Sequence, residues 1–471
     1  MLRVALTSML VRRIVWVNLY IAWQAMWLPD LQDSALPTYL ALVEAIAAAI
    51  GRGELKPGER LPPQRRLAWT LGINPSTVML AYREAARRHL VSGEVGRGTY
   101  VLAGSREASL FRLKQSTAQG ELIDLSTNVP VHDPDNHDLS ASLAALAARG
   151  ELDALQAYPS AALVERAHLA GATWLRRRGL ELAPGGLLLC AGAQQGVSAA
   201  LLALCEAGEP ILVERYTAPG IKAAARQLRL PLHGVAMDEH GILPDDLDRL
   251  ARATGARVAV FTPCLQNPTG ASLDAERRAA IAEVARRRGL WVIEDDVYGV
   301  LGSEAPLAVK APERCLLISS LSKSVAPGLR LGFIAGAPEL LERIDPEAQA
   351  TRWAVTPLSL ALGCEWIESG IAEQRLAWQI DELQQRWRLA ARVLGPRMPQ
   401  GRAVAPHLWL DAAAPAGLAE ACRHNGVEVV PAEVFAVEAN PGHAVRVSLA
   451  AAASRVELKR ALEAIVAAWP V

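Results

Sequence analysis

The sequence lacks a net charge: its 471 residues carry 49 Lys+Arg against 49 Asp+Glu. That balance excludes a uniformly basic scaffold and leaves only a locally basic domain open. It also lacks paired cysteines. Its six Cys (190, 205, 264, 315, 364 and 422) are scattered and have no His companions. A disulfide framework or zinc site is therefore excluded, and the thiols read as reduced, in a cytosolic protein with no metal. A convincing membrane span is missing too. The apolar run Ile14 to Leu28 is broken by Asn18 and Gln24, and a span needs roughly 20 apolar residues. What is present is apolar bulk. Hydrophobic residues make up 51% and charged residues 21% of the chain, which excludes whole-chain disorder. The length suits about three domains, or two with one large.

Residues 1–26 allow three readings. Arg12 and Arg13 before an apolar run resemble a signal peptide, but no convincing small-x-small cleavage site follows. An amphipathic packing helix, with Ile14, Val17 and Ile21 as its stripe, is the second. The third, preferred here, is a dispensable extension with Met26 as the working start.

Residues 27–103 read as a small helical domain. In TYLALVEAIAAAI (38–50), Leu40, Val43, Ile46 and Ile50 share one helical face, and Gly51 and Gly53 stop the helix. QRRLAWTL is a short helix ended by Gly72. Asn74 then caps a further helix, with Pro75 at its first position. That helix runs to about His89 with Val78, Tyr82 and Ala85 inward, and LVSGEVGRGTYVL gives two strands around a glycine-rich tip. Over 37–103 there are nine Lys/Arg against five Glu, a net of +4 that the rest of the chain balances with −4. A basic module on an acidic body suits nucleic acid; on charge alone, a solvated helical domain fits equally well.

The string LKPGERLPPQRRLAWTLGINPSTVMLAYREAARRHLVSGEVGRGTYV closely resembles the GntR-type winged helix-turn-helix. The P-G-x-x-L-P turn, L-A-x-x-L-G, S-T-V-x-x-A-Y and the G-R-G-T-Y-V wing are all present. The resemblance implies double-stranded DNA as partner. Arg65 would contact phosphate or base, Ser76 and Thr77 would open the recognition helix in the major groove, and Arg97 would reach the minor groove. Pro75 departs from the pattern, since many relatives carry Arg there, so the DNA sequence they read cannot be borrowed.

Residues 104–121 lack a sustained apolar period and read as a linker. From 122 to 471, apolar runs (LLLC, PILVE, RVAVFT, LWVIED, CLLISS) alternate with helical patterns. That alternation predicts a large α/β domain with a mostly parallel sheet, and ligands beyond the carboxyl ends of its strands. A smaller C-terminal α/β subdomain is placed at about 341–471.

Chemistry-bearing residues recur at those strand ends. AGAQQG (191–196) opens a helix whose free N–H groups suit a phosphate. Asn267 lies in PCLQNPTG, and Asp295 and Tyr298 follow LWVIE. Ser320, Ser322 and Lys323 follow LLIS, and Arg330 lies in PGLRLGF. Singly, each has an ordinary structural explanation: a solvated lysine, a capping aspartate, a glycine turn. Together they suit pyridoxal phosphate. A lysine can form a Schiff base with its aldehyde, a buried carboxylate keeps the pyridine nitrogen protonated, and Ser, Arg and a helix N-terminus hold its phosphate.

NPTG, EDDVYG and S-x-S-K-x-x-x-P-G-L-R-x-G resemble the signatures of fold-type I aminotransferases of the aspartate aminotransferase class. The resemblance implies Lys323 as the Schiff-base lysine, Asp295 on the pyridinium, and Tyr298 and Asn267 on the phenolic oxygen. Ser320 and Arg330, with backbone of Ala193 and Gln194, would hold the phosphate. Tyr158, in AYPS, resembles the tyrosine that reaches the partner subunit's phosphate, and Arg446, in HAVRVSLA, matches the arginine that forks an α-carboxylate. Two places depart. In VERYTAPG, Ala218 takes the slot of the tyrosine stacked on the ring, and Tyr216 lies two residues earlier. SAALVERAHL is a degraded form of the family's G-x-x-x-L-R segment.

A GntR winged helix fused to an aminotransferase-like domain is the layout of MocR-type bacterial transcription regulators, and the resemblance spans about 27–471. It implies a cytoplasmic homodimeric regulator sensing pyridoxal phosphate or an amino compound. Two alternatives stay open: a true aminotransferase with an accessory DNA-binding domain, and a DNA-binding dimer that has lost the cofactor, against which intact Lys323 and Asp295 speak.

Overall fold

A computed structural model describes residues 27–29, 31, 36–51, 54–55, 59–87, 90–94, 98–101, 122–344, 355–411, 417–438 and 442–469. The N-terminal extension, the wing tip with Arg97 and the linker lie outside the described residues. The chain divides into two compact units, 1–114 and 115–471.

In the first unit, α1 (Thr38–Gly51), α2 (Gln64–Leu71) and α3 (Pro75–Arg87) precede the antiparallel pair β1 (Val91–Glu94) and β2 (Gly98–Val101). α1 runs through Gly51. α3 begins as Asn74 and Pro75 dictate: Asn74 Oδ1 accepts from the Ser76 N–H at 2.9 Å, and proline needs no hydrogen-bond donor at the first helical position. Gly72, at φ +66°, makes the turn between α2 and α3, where a left-handed backbone favours glycine. Val43, Ile46, Leu67, Val78, Tyr82 and Ala85 close the core. The Tyr82 hydroxyl stays satisfied there by donating to Pro62 O at 2.8 Å. Arg60 bridges to Tyr100, adding a third edge to the two-stranded wing.

The second unit is built on a seven-stranded sheet in the order β4-β12-β11-β10-β9-β5-β6. Its strands are β4 (Leu187–Cys190), β5 (Ile211–Glu214), β6 (Leu232–Val235), β9 (Val258–Phe261), β10 (Trp291–Asp295), β11 (Cys315–Ser320) and β12 (Gly332–Ala335). All run parallel except β12, which is antiparallel to β11 and β4. Five of them (β4, β5, β9, β11 and β12) are buried at every position, as strands covered on both faces are. The covering helices include α4 (Asp138–Ala148), α5 (Ala161–Arg176), α6 (Ala193–Leu204), α7 (Pro219–Gln227), α8 (Pro244–Thr254) and α9 (Ala275–Arg288). β7 (Met237–Asp238) and β8 (Gly241–Ile242) form a hairpin beside them. β10 is the central strand, so Asp295 leaves the sheet at its middle.

After the short α10 (Leu307–Lys310) come α11 (Pro357–Glu368) and α12 (Ile371–Leu394). The start of α12 packs in the large core through Ala372 and Leu376, and its end packs in a second core through Ala390 and Leu394. That second core lies against an antiparallel sheet, β13 (His407–Asp411), β16 (Ala444–Ser448) and β15 (Val430–Pro431). It is completed by α13 (Leu418–His424) and α14 (Arg455–Ala467). The strand that opens the unit, β3 (Ile123–Asp124), pairs with β14 (Val427–Glu428) and brings Leu125 into this core. Val445 and Val447 of β16 point into it. By strand alternation Arg446 points to the opposite face.

Candidate active site and DNA-reading unit

Lys323 ends a single turn of 3-10 helix that follows β11, and its Nζ donates to Asn128 O at 2.6 Å. Asp295 ends β10. Burial pushes its carboxyl up to about 6, against the backbone N–H of Val297 and the Lys323 charge, which pull it down. Its Oδ1 is buried and has no hydrogen-bond partner among the described residues. Its neighbour Asp296 points elsewhere, into a buried pair with Arg178 at 2.7 and 3.0 Å. Gly299 is required beside that pair, because a Cβ there would overlap the Asp296 carboxylate. Tyr298 is buried, its phenol pushed up to about 12 by desolvation, and its oxygen accepts from Asn128 Nδ2 at 3.1 Å.

Asn267, in the loop after β9, accepts at Oδ1 from Arg446 Nη1 at 2.8 Å. Arg446 also donates through Nη2 to Ser126 O, and its guanidinium lies 5.0 Å from the centre of the Phe435 ring. It is almost fully buried, at 4% exposure, and desolvation lowers it to about 10. Its Nε lacks a partner among the described residues. A buried guanidinium with an unfilled donor is costly unless an anion completes it.

At the other end of the site, Ser320 Oγ accepts from the Ser322 N–H at 3.3 Å. Arg330, at φ +49°, reaches Ala191 O with Nη2 at 3.0 Å and Ser322 Oγ with Nη1 at 3.5 Å. A Cβ at Gly192 would stand 2.6 Å from Arg330 Nη2, so glycine keeps this approach open. Ala193 and Gln194 open α6 directly after it; the Gln194 side chain turns away to donate to Gly220 O at 2.8 Å.

Tyr216 packs against Trp409 of β13, ring centres 5.2 Å apart. Its backbone neighbourhood is stitched to the 435–437 stretch, with Thr217 N donating to Phe435 O and Val437 N to Arg215 O. Ala218 is the residue before α7 and packs against a separate cluster that includes Val197, Ile221 and Ile318. Tyr158 is 73% exposed.

Three residues of this site were not read from the sequence. Asn128 lies in STNVP, a stretch without periodicity. His407 sits at the head of an apolar strand and looks like core. Glu214, at the end of β5, is fully buried; desolvation pushes it up to about 8 although it accepts from Thr262 N and Thr217 Oγ1. A polar residue at the end of a buried parallel strand was the available signal, and VERYTAPG carried it.

In the first unit, Arg65 and Ser76 are exposed and Thr77 is partly so. Ser76 Oγ donates to Asn74 Oδ1 at 2.8 Å, tying it into the cap. Arg65 lies on α2 and Ser76 and Thr77 open α3, the helix that a helix-turn-helix presents to the major groove.

A helix-turn-helix with a two-stranded wing in one unit, and in the other a doubly wound sheet bearing Lys, Asp, Tyr, Asn and Arg at its carboxyl edge, define a DNA-reading module and an aminotransferase-type unit on one chain. Comparison with known proteins gives the same two parts: residues 120–465 match the family "Aminotransferase class I and II" and residues 38–101 match "Bacterial regulatory proteins, gntR family". The chain belongs to these families and is a GntR-family transcriptional regulator of the MocR type. It is 30% identical over 87% of its length to the vitamin B6 salvage pathway transcriptional repressor PtsJ of Salmonella typhimurium, covering 93% of that protein. It is 29% identical over 95% of its length to the uncharacterized HTH-type transcriptional regulator YdeF of Bacillus subtilis, covering 97% of that protein. Over 65% of its length it is 30% identical to the HTH-type pyridoxine biosynthesis transcriptional regulator PdxR of Corynebacterium glutamicum, covering 68% of that protein. Among solved structures, an archaeal alanine:glyoxylate aminotransferase shares the fold, with a TM-score of 0.68 and 22% identity over 78% of this chain and 95% of that one. No helix among the described residues is long and apolar enough to cross a membrane.

Proposed function

We propose that the chain is a cytoplasmic, homodimeric DNA-binding regulator whose second unit takes up pyridoxal phosphate on Lys323 and responds there to pyridoxal phosphate or an amino compound. The observation that carries this is Asp295, half-buried at the end of the central strand: its Oδ1 is buried, has no hydrogen-bond partner among the described residues and lies in the field of Lys323. A cationic ring N–H would donate to that oxygen. Bound pyridoxal phosphate supplies an aldehyde that condenses with an amine, with loss of water, and an electron-withdrawing ring.

The chain's own groups do the rest. Lys323 offers the amine, Asp295 holds the ring proton, and Tyr298 and Asn267 serve the phenolic oxygen. Ser320, Arg330 and the N–H groups of Ala193 and Gln194 take the phosphate, joined by Tyr158 across the dimer. Arg446 holds a carboxylate of the effector, and Tyr216, two residues before Ala218, supplies the aromatic side chain for the ring. Arg65, Ser76, Thr77 and Arg97 contact DNA. The names of PtsJ and PdxR, both tied to vitamin B6, support sensing of the cofactor. An effector shifts DNA affinity only as far as it binds two states of the protein differently.

The test is a pair of measurements on one protein. Pyridoxal phosphate should give a yellow species that borohydride fixes, and Asp295→Asn should weaken its uptake at least tenfold. DNA affinity should change when the cofactor or an amino compound is added. The same side chains also suit transamination; sustained turnover of an amino donor, with DNA affinity indifferent to the cofactor, would make the enzymatic role the main one.

A further inference from the structure

The hydrogen bonds around His407 have a fixed direction. His407 Nε2 lies 2.9 Å from Gln266 O. A carbonyl only accepts, so Nε2 carries the proton. The ring is fully buried and neutral, its pKa driven down to about 3 by desolvation and by the nearby Arg446 charge, so Nδ1 is left as an acceptor. Nδ1 lies 2.9 Å from Asn128 Nδ2. The Asn128 amide must therefore turn its NH2 to His407, and the second hydrogen of that NH2 goes to the Tyr298 oxygen at 3.1 Å. Turning the amide over would set its oxygen against the Nδ1 lone pair. With Asn128 donating to it, the Tyr298 oxygen has an acceptor position filled, and its own proton is free to donate elsewhere.

We infer that His407 is a positioning residue: through Asn128 it fixes the hydrogen-bond polarity at Tyr298, so that the phenol donates its proton into the ligand site. The inference rests on the reading of that site as a pyridoxal phosphate site. It gives His407 a role beyond packing, although its ring also stands edge-on to Tyr298, 5.8 Å between centres. It also ties the two parts of the second unit together. His407 belongs to β13, Gln266 and Tyr298 to the carboxyl edge of the large sheet, and Asn128 also anchors Lys323 through its backbone oxygen. A shift of β13 against the sheet would reach the phenol and the lysine together.

The experiment is a pH titration of the yellow band on the full chain loaded with pyridoxal phosphate. A hydrogen bond donated by Tyr298 to the cofactor's phenolic oxygen favours its ionised form, so losing that bond moves the midpoint to higher pH. His407→Phe keeps the edge-on ring and removes both nitrogens; its midpoint should rise by about one pH unit, a tenfold change in the proton equilibrium. His407→Asn places an amide oxygen where Nδ1 was and should recover at least half of that shift. Tyr298→Phe should shift the midpoint by a similar amount, and adding His407→Phe to it should shift it no further. If His407→Phe does not fold, Asn128→Asp gives the same reading, because a carboxylate accepts from Tyr298 and turns its proton away. Wild-type midpoints in all of these except Tyr298→Phe overturn the inference and leave the site reading standing. Absence of any band in the wild-type chain overturns both.

Discussion

Burying a carboxyl against its ionisation leaves a signature in pH, and Glu214 should show it. Its folded pKa, about 8, lies above its ordinary value of 4.5. A raised folded value means that its stabilising contribution is full below about pH 4.5 and fades as pH rises through 8. In Glu214→Gln the amide oxygen can still accept from Thr262 N and the NH2 can donate to Thr217 Oγ1. That variant should lose less stability between pH 5 and 8 than wild type and melt higher at pH 8, which calorimetry at several pH values would measure. Arg178 tests the opposite case. It is paired with buried Asp296 at 2.7 Å, and Arg178→Met strands that carboxylate; a loss of about 3–5 kcal/mol in denaturant unfolding is expected. At this scale legibility followed the strand ends. Lys323, Asp295, Tyr298 and Asn267 each follow a hydrophobic run and Arg330 precedes one, so their polarity stood out. His407 and Asn128 did not. Their meaning comes from a cross-link between β13, the 126–131 stretch and the large sheet, distant in sequence and joined only by the fold.

Elements were legible where the local signal was strong. The cap at Asn74–Pro75 starts α3 where expected, and Val78, Tyr82 and Ala85 are buried as the period required. Gly72 is the corresponding stop between α2 and α3, and its role is conformational alone: a Cβ there would meet nothing within 4 Å, yet φ is +66°. Gly72→Ala should therefore cost about 1 kcal/mol, read by thermal unfolding, without rearranging the turn. The antiparallel β12 is a feature the alternation of strands and helices did not reveal. GFIA is as apolar as its neighbours, and apolarity carries no direction. The chain between β11 and β12 holds only two single turns of 3-10 helix, too little for the crossover a parallel strand needs. β16 shows how an element makes a site: the pleat that buries Val445 and Val447 delivers Arg446 to the other face. Arg446→Gln, which removes the buried charge, should weaken binding of carboxylate-bearing amino compounds at least tenfold and leave uptake of pyridoxal phosphate within a few-fold, measured by the spectral change on each addition.

For the whole molecule, the two halves make separable claims. The basic first unit should bind DNA with a steep salt dependence, the log–log slope falling by about 0.9 for each phosphate neutralised. Arg65→Ala and Arg97→Ala should each flatten that slope by about one contact, measured by titration at several salt concentrations. The charge that predicts this was legible as a +4 excess over residues 37–103, whereas the link from the second unit to DNA was not, because it depends on how two states differ in energy. The central claim is that the aminotransferase-type unit of this regulator holds pyridoxal phosphate on Lys323. Its most direct measurement is borohydride reduction of the loaded chain followed by peptide mapping, alongside Lys323→Ala treated identically. The account predicts one pyridoxyl modification, on Lys323, and none in the variant; a modification on another lysine, or the same yield in Lys323→Ala, would contradict it.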